Sequence, residues 1–152
     1  MANLEVIRGF IAQALGDGSH FGAPVERDQD GDFQIRRGSA EFWAGAAQAA
    51  DGSGMVQVGS VVLRGVPLSK KALKAVNSIN RDYLWVRAVW ADDLIVICRD
   101  IPIDLVTTEV LVQACDFIGA VADAKDDEFK ALLKVGTSAY DGDPDDDDAV
   151  EV

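Results

Sequence analysis

Three aspartates at alternate positions, Asp28, Asp30 and Asp32, form the densest set of potential ligands in the chain, and their spacing superficially matches the start of a calcium loop. Further along, the position that should hold glycine is Phe33, and the one that should supply a bidentate glutamate is Ser39. The three carboxylates therefore read as a solvated turn before a strand. His20, the single histidine, has no companions in the sequence from which a metal site or a triad could be assembled, and it reads as a surface loop residue. Cys98 and Cys115 sit in apolar surroundings without C-x-x-C spacing, as buried reduced thiols do. Gly52-Ser53-Gly54 lacks the strand-glycine-helix context and the lysine of a phosphate loop, and neither a G-x-S-x-G elbow nor an H-E-x-x-H pair occurs. The expectation is a protein that binds rather than catalyses, with no metal and no cofactor.

Two residue groups suit binding. Lys70, Lys71 and Lys74, with Arg81 further on, are the main positive cluster, and two of them fall in a first helical turn, where the helix dipole disfavours cations. They form either a solvated face or a docking place for acidic segments, including the protein's own tail. Trp43, Trp85 and Trp90 are core residues by default and become candidate partner-binding residues if one sheet face looks outward. The formal net charge of −12 disfavours a nucleic-acid partner, which requires a positive footprint. Seven of those excess charges lie between 137 and 152, where there are six aspartates, one glutamate and no lysine or arginine, leaving five for the body.

These residues must be positioned by one domain, since 152 residues with 49% apolar content suffice for a single core. The predicted domain covers 1–136, followed by a disordered acidic tail over 137–152. Leu4, Ile7, Ile11 and Leu15 follow the helical repeat behind an Asn3 cap. Phe33 and Ile35 alternate with Gln34 and Arg36, and Ala40, Phe42 and Ala44 with Glu41 and Trp43, around Gly38-Ser39, as a hairpin does. A third strand runs from about Met55 to Leu63. Ser69 caps a second helix whose buried stripe is Ala72, Leu73, Val76 and Ile79. A second hairpin pairs Tyr83 to Trp90 with Leu94 to Cys98, and a last helix starts near Thr107 and stops at Gly136. The fold class is α+β: an antiparallel sheet covered by helices, in the order α-β-β-β-α-β-β-α.

Along the second hairpin both faces are apolar. Leu84, Val86, Ala88 and Trp90 alternate with Tyr83, Trp85, Arg87 and Val89, and Leu94, Val96 and Cys98 with Ile95 and Ile97. Either the chain's helices flank this pair on both sides, or helices cover one face and a second subunit or partner segment covers the other. The second case predicts a homodimer, with Leu73, Val76, Ile79 and Trp85 as its interface. No apolar stretch approaches the length of a membrane span and no signal segment opens the chain, so a cytoplasmic protein with no membrane partner is expected.

The run Val61-Val62-Leu63-Arg64-Gly65-Val66-Pro67, the helix ending Asn77-Ser78-Ile79-Asn80, the strands around Trp85 to Cys98 and the helix start Val106-Thr107-Thr108-Glu109 resemble the YbjN-type branch of the class I type III secretion chaperone group. The resemblance covers about residues 3 to 136 and rests on diffuse patterns. It implies a small, acidic, usually homodimeric protein that holds an unfolded protein or peptide client along its surface. The alternative within the same resemblance is a YbjN-type sensory-transduction regulator without chaperone activity.

Overall fold

The computed structural model describes residues 3–16, 20–21, 25–37 and 40–133. Its elements are α1 (Leu4–Leu15), β1 (Glu26–Arg27), β2 (Phe33–Arg37), β3 (Ala40–Gln48), β4 (Gly54–Arg64), α2 (Lys70–Asp82), β5 (Arg87–Ala91), β6 (Leu94–Pro102) and α3 (Thr108–Leu133). The strands form one six-stranded sheet in the order β1-β2-β3-β4-β6-β5, with every neighbouring pair antiparallel. This is the expected α+β order with one short strand added. The turn expected at Gly38-Ser39, the stop at Gly136 and the acidic tail lie outside the described residues.

Local chemistry accounts for the helix starts. Asn3 accepts a hydrogen bond from the Glu5 amide, Ser69 from the Ala72 amide and Thr107 from the Val110 amide, each satisfying a donor that the helix leaves free. In α2 the buried residues are Ala72, Ala75, Val76 and Ile79, a clean helical stripe. Leu73 falls beside that stripe and is only half-buried. β1 arises inside the segment expected to be a turn alone. The Asp28 carboxylate accepts from the Asp30 and Asp32 amides, Gly31 takes φ +86°, and the Asp28 amide donates to the Asp32 carbonyl, closing a tight reversal that brings Glu26 and Arg27 back onto β2. The Asp92-Asp93 pair, at φ +51° and +61°, makes the equivalent turn between β5 and β6.

One expected strand is shorter than the sequence pattern indicates. The run from Tyr83 to Trp90 is strand only from Arg87, because α2 runs on to Asp82 and Trp85 adopts φ +65°, which breaks the extended conformation. Leu84 and Trp85 consequently leave the sheet and stand 79% and 78% exposed.

All three helices lie on one side of the sheet. α1 packs on β3 and β4, α3 on β3, β4 and β6, and α2 on β5, while α3 also touches both α1 and α2. Between them and the sheet lies the core: Ile7, Ile11, Phe42, Val56, Val58, Ile79, Ile95, Ile97, Leu111 and Ile118 are each 2% exposed or less. Among the described residues no helix is long and apolar enough to cross a membrane.

Candidate functional site

Because residues directly opposite one another in a ladder share a face, the register maps the side of the sheet away from the helices. Gln34, Trp43, Gly59, Cys98 and Arg87 stand in one row across five strands. Val61, Val96 and Val89 form the next row, and Arg64, Leu94 and Ala91 the one beyond. Trp43, Val61, Val89, Leu94 and Val96 are all half-buried on this face, so they form a continuous apolar patch on an otherwise open surface. Alternation explains why: Ile95 and Ile97 point into the core, and the intervening Leu94 and Val96 must point away from it.

The Trp43 ring lies flat against the sheet because Gly59, opposite it, has no side chain. A Cβ there would overlap the indole atoms. Polar side chains frame the patch. Arg87 pairs with Asp100 at 3.0 Å and reaches the Cys98 sulfur at 3.6 Å, Gln57 donates to Asp100 at 2.9 Å, and Arg36 pairs with Glu41 across the β2–β3 hairpin.

A cleft adjoins the patch. The β3–β4 ladder ends at Trp43 and Gly59, yet β3 begins three residues earlier at Ala40 and β4 continues to Arg64 along β6, with an irregularity between Val61 and Leu63. The two strands thus part, and the Ser60 hydroxyl donates to the Glu41 carbonyl at 2.7 Å where they do. The opening has a volume of about 650 Å³ and is lined by Trp43, Val61, Val62 and Leu63, with Arg36, Arg64 and Lys130 as cations and Glu41 and Asp126 as anions.

The three tryptophans occupy three different environments. Trp43 is in the open patch. Trp85 stands on the α2–β5 turn, its ring centroid 5.1 Å from the Arg99 guanidinium. Trp90 shares the helix-covered face with Ile95 and donates from its indole to the Val66 carbonyl at 2.8 Å. Among the residues expected at a subunit interface, Val76 and Ile79 are covered by their own chain at 8% and 0% exposure, whereas Leu73 and Trp85 present surface. Val61, Val89, Leu94 and Val96 join the patch in addition to the expected tryptophan. The signal was present in the doubly apolar strands, but periodicity alone does not say which face the helices take.

Asn80, at the end of α2, closes the free edge of β5. Its carboxamide donates to the Ala88 carbonyl at 3.0 Å and accepts from the Ala88 amide at 2.8 Å, so it occupies the outer edge of β5 as a neighbouring strand would. Only a side chain with both a donor and an acceptor can do this.

Residues considered for chemistry are accounted for structurally. Asp28 spends its carboxylate on the turn and on Gln34, whose amide donates at 2.8 Å and holds the Asp28 pKa below its usual value. His20 sits 3.1 Å from both Asp116 carboxylate oxygens on the surface. Burial pushes the Cys115 thiol up to about 12 and raises that of Cys98, so both stay protonated and poorly nucleophilic. Among the described residues no group of three or more His, Cys, Asp or Glu could hold a metal ion.

The family described as T3SS (YopN, CesT) and YbjN peptide-binding chaperone 1, TY-Chap1, matches residues 5–140. A chain of the ExsC-ExsE complex has the same fold at a TM-score of 0.61 and 12% identity, covering 90% of this chain and 100% of its own length. A chain of the HopA1-SchA chaperone-effector complex superposes at a TM-score of 0.60 with 11% identity, covering 82% of this chain and 99% of its own. No curated protein matches the sequence.

Proposed function

This chain belongs to the T3SS and YbjN peptide-binding chaperone family, and we propose that it holds an extended apolar segment of a client protein against the open face of its sheet. The observation that carries this reading is the one-sided helix cover, which leaves Trp43, Val61, Val89, Leu94 and Val96 as a continuous patch framed by ion pairs. An extended peptide presents side chains to alternate sides, so every second residue can rest on the patch while the others face solvent. Burying about 300 Å² of apolar surface at about 25 cal/mol per Å² supplies about 7.5 kcal/mol before the peptide is ordered, which sets a ceiling near micromolar affinity. A weak, reversible hold of this kind suits a protein that must release its client. The work is proposed to take place in the cytoplasm, where thiols such as Cys98 and Cys115 remain reduced.

The test is a titration of the full chain with a fluorescently labelled peptide of about ten residues, about 33 Å when extended, with apolar residues at every second position. Saturable binding is expected for it, and much weaker binding for a peptide of the same composition whose apolar residues are scattered irregularly. Equal binding of both, or of neither, overturns the proposal.

A second surface favours self-association. Leu84 and Trp85 are 79% and 78% exposed, and holding Trp85 at φ +65° costs about 1–3 kcal/mol while its ring meets the Arg99 guanidinium and otherwise stays largely open to solvent. The reading is a homodimer in which this apolar turn, with Leu73 nearby on α2, packs on a second copy. Sedimentation equilibrium should show a dimer that Trp85→Ala weakens. A wild-type chain that remains monomeric at micromolar concentration removes this reading and leaves peptide binding untouched.

A further inference from the structure

We propose that the cleft between β3 and β4 is a docking site for the protein's own acidic C-terminal segment, which competes there with the client. The competition rests on the peptide-binding reading above; the docking does not. Arg36, Arg64 and Lys130 against Glu41 and Asp126 make this cleft a locally positive place in a chain of net charge −12. Arg36 is already paired with Glu41, whereas Arg64 and Lys130 form no ion pair among the described residues. The remaining positive cluster, on α2, is less available, because Lys70 and Lys71 already have partners.

Position and composition favour the same occupant. Leu133, the last described residue of α3, lies one turn beyond Lys130, which lines the cleft. The segment then carries Asp141, Asp143, Asp145, Asp146, Asp147, Asp148 and Glu151, with Tyr140 before them. At about 3.3 Å per extended residue the nineteen residues after Leu133 span up to about 60 Å, and they bring carboxylates to match Arg64 and Lys130 and an aromatic ring, Tyr140, to match Trp43 and Val61. Being tethered, it acts at an effective concentration in the millimolar range, enough to fill a weak site. A client that displaces it must bring its own apolar contacts to the patch, so the segment would select against weak ligands.

The experiment uses the full chain carrying a nitroxide at Ala149→Cys, with the buried Cys98 and Cys115 left unlabelled. Paramagnetic broadening is expected to concentrate on the Trp43 indole and the amides of Glu41, Val61 and Arg64, residues remote in sequence from the label. It should vanish at about 1 M salt, where the screening length is about 3 Å, and when Asp145 to Asp148 are all changed to Asn. Broadening centred on Lys70 to Lys74, or spread evenly, overturns the docking. The neutralised full chain should also bind the alternating peptide about tenfold more tightly than wild type. Localised broadening with unchanged peptide affinity refutes the competition alone, and absent peptide binding with localised broadening refutes only the client reading.

Discussion

Exchanging Val96 for aspartate is expected to weaken binding of the alternating peptide by at least about a hundredfold in a chain that still folds. Val96 sits between Val61 and Val89 in the middle of the open patch and is half-buried there by its neighbours alone. In the free protein an aspartate at this position keeps its carboxylate in water, and the cost is the loss of strand preference, about 1 kcal/mol. Under a bound peptide the same carboxylate would be dehydrated among valines and Trp43 without a partner, a penalty of several kcal/mol. Binding and folding should therefore separate: peptide titration shows the loss, while the denaturation midpoint moves little. A variant that binds normally means the peptide lies elsewhere.

Truncating the adjacent residue should do the reverse. Ile97→Ala is expected to cost about 2–5 kcal/mol of stability, because Ile97 is 0% exposed and removing its side chain leaves a cavity between the sheet and the helices that neighbouring residues only partly fill. Against total stabilities of about 5–15 kcal/mol this is a large fraction, and it should appear as a lower midpoint in urea with little change in slope. Peptide affinity of the fraction that remains folded should be unchanged. If Ile97→Ala were mild and Val96→Ala severe in stability, the two faces of β6 would be assigned the wrong way round.

Much of the architecture was legible because it is set by short-range chemistry. Asn3, Ser69 and Thr107 cap helices through hydrogen bonds to amides two or three residues away, and such interactions can be read from a few neighbouring side chains. Alternation in Phe33 to Ala44 and at Val56 and Val58 likewise located the strands that bury one face. The start of β5 was hidden for the opposite reason. Tyr83, Trp85 and Val86 have side chains that favour strands, and a tryptophan at φ +65° contradicts its own preference, so only the constraint of joining α2 to β5 accounts for it. The two-residue β1 depends on an Asp28 turn whose hydrogen bonds suit either a loop or a hairpin.

The site itself was half visible. Apolar residues on both faces of Leu94 to Cys98 signal that something beyond the core needs cover, and Trp43 is a candidate by its type, but the patch exists only because α1, α2 and α3 all take the same side. The cleft was not visible, since it depends on where β3 and β4 stop pairing. The unbroken apolar run Val61-Val62-Leu63, which lacks alternation, is the trace the bulge leaves in the sequence. Asn80 was hidden because its partner, Ala88, lies in the next strand and contributes only backbone.

The central claim, that a client segment lies on the open face, is tested most directly by nuclear Overhauser contacts between an isotope-labelled full chain and the unlabelled alternating peptide. Contacts should connect peptide side chains to the Trp43 ring and to the methyl groups of Val61, Val89, Leu94 and Val96, with none to Ile95 or Ile97. Contacts confined instead to the α2–β5 turn at Leu84 and Trp85, or to the outer surfaces of the helices, would contradict it.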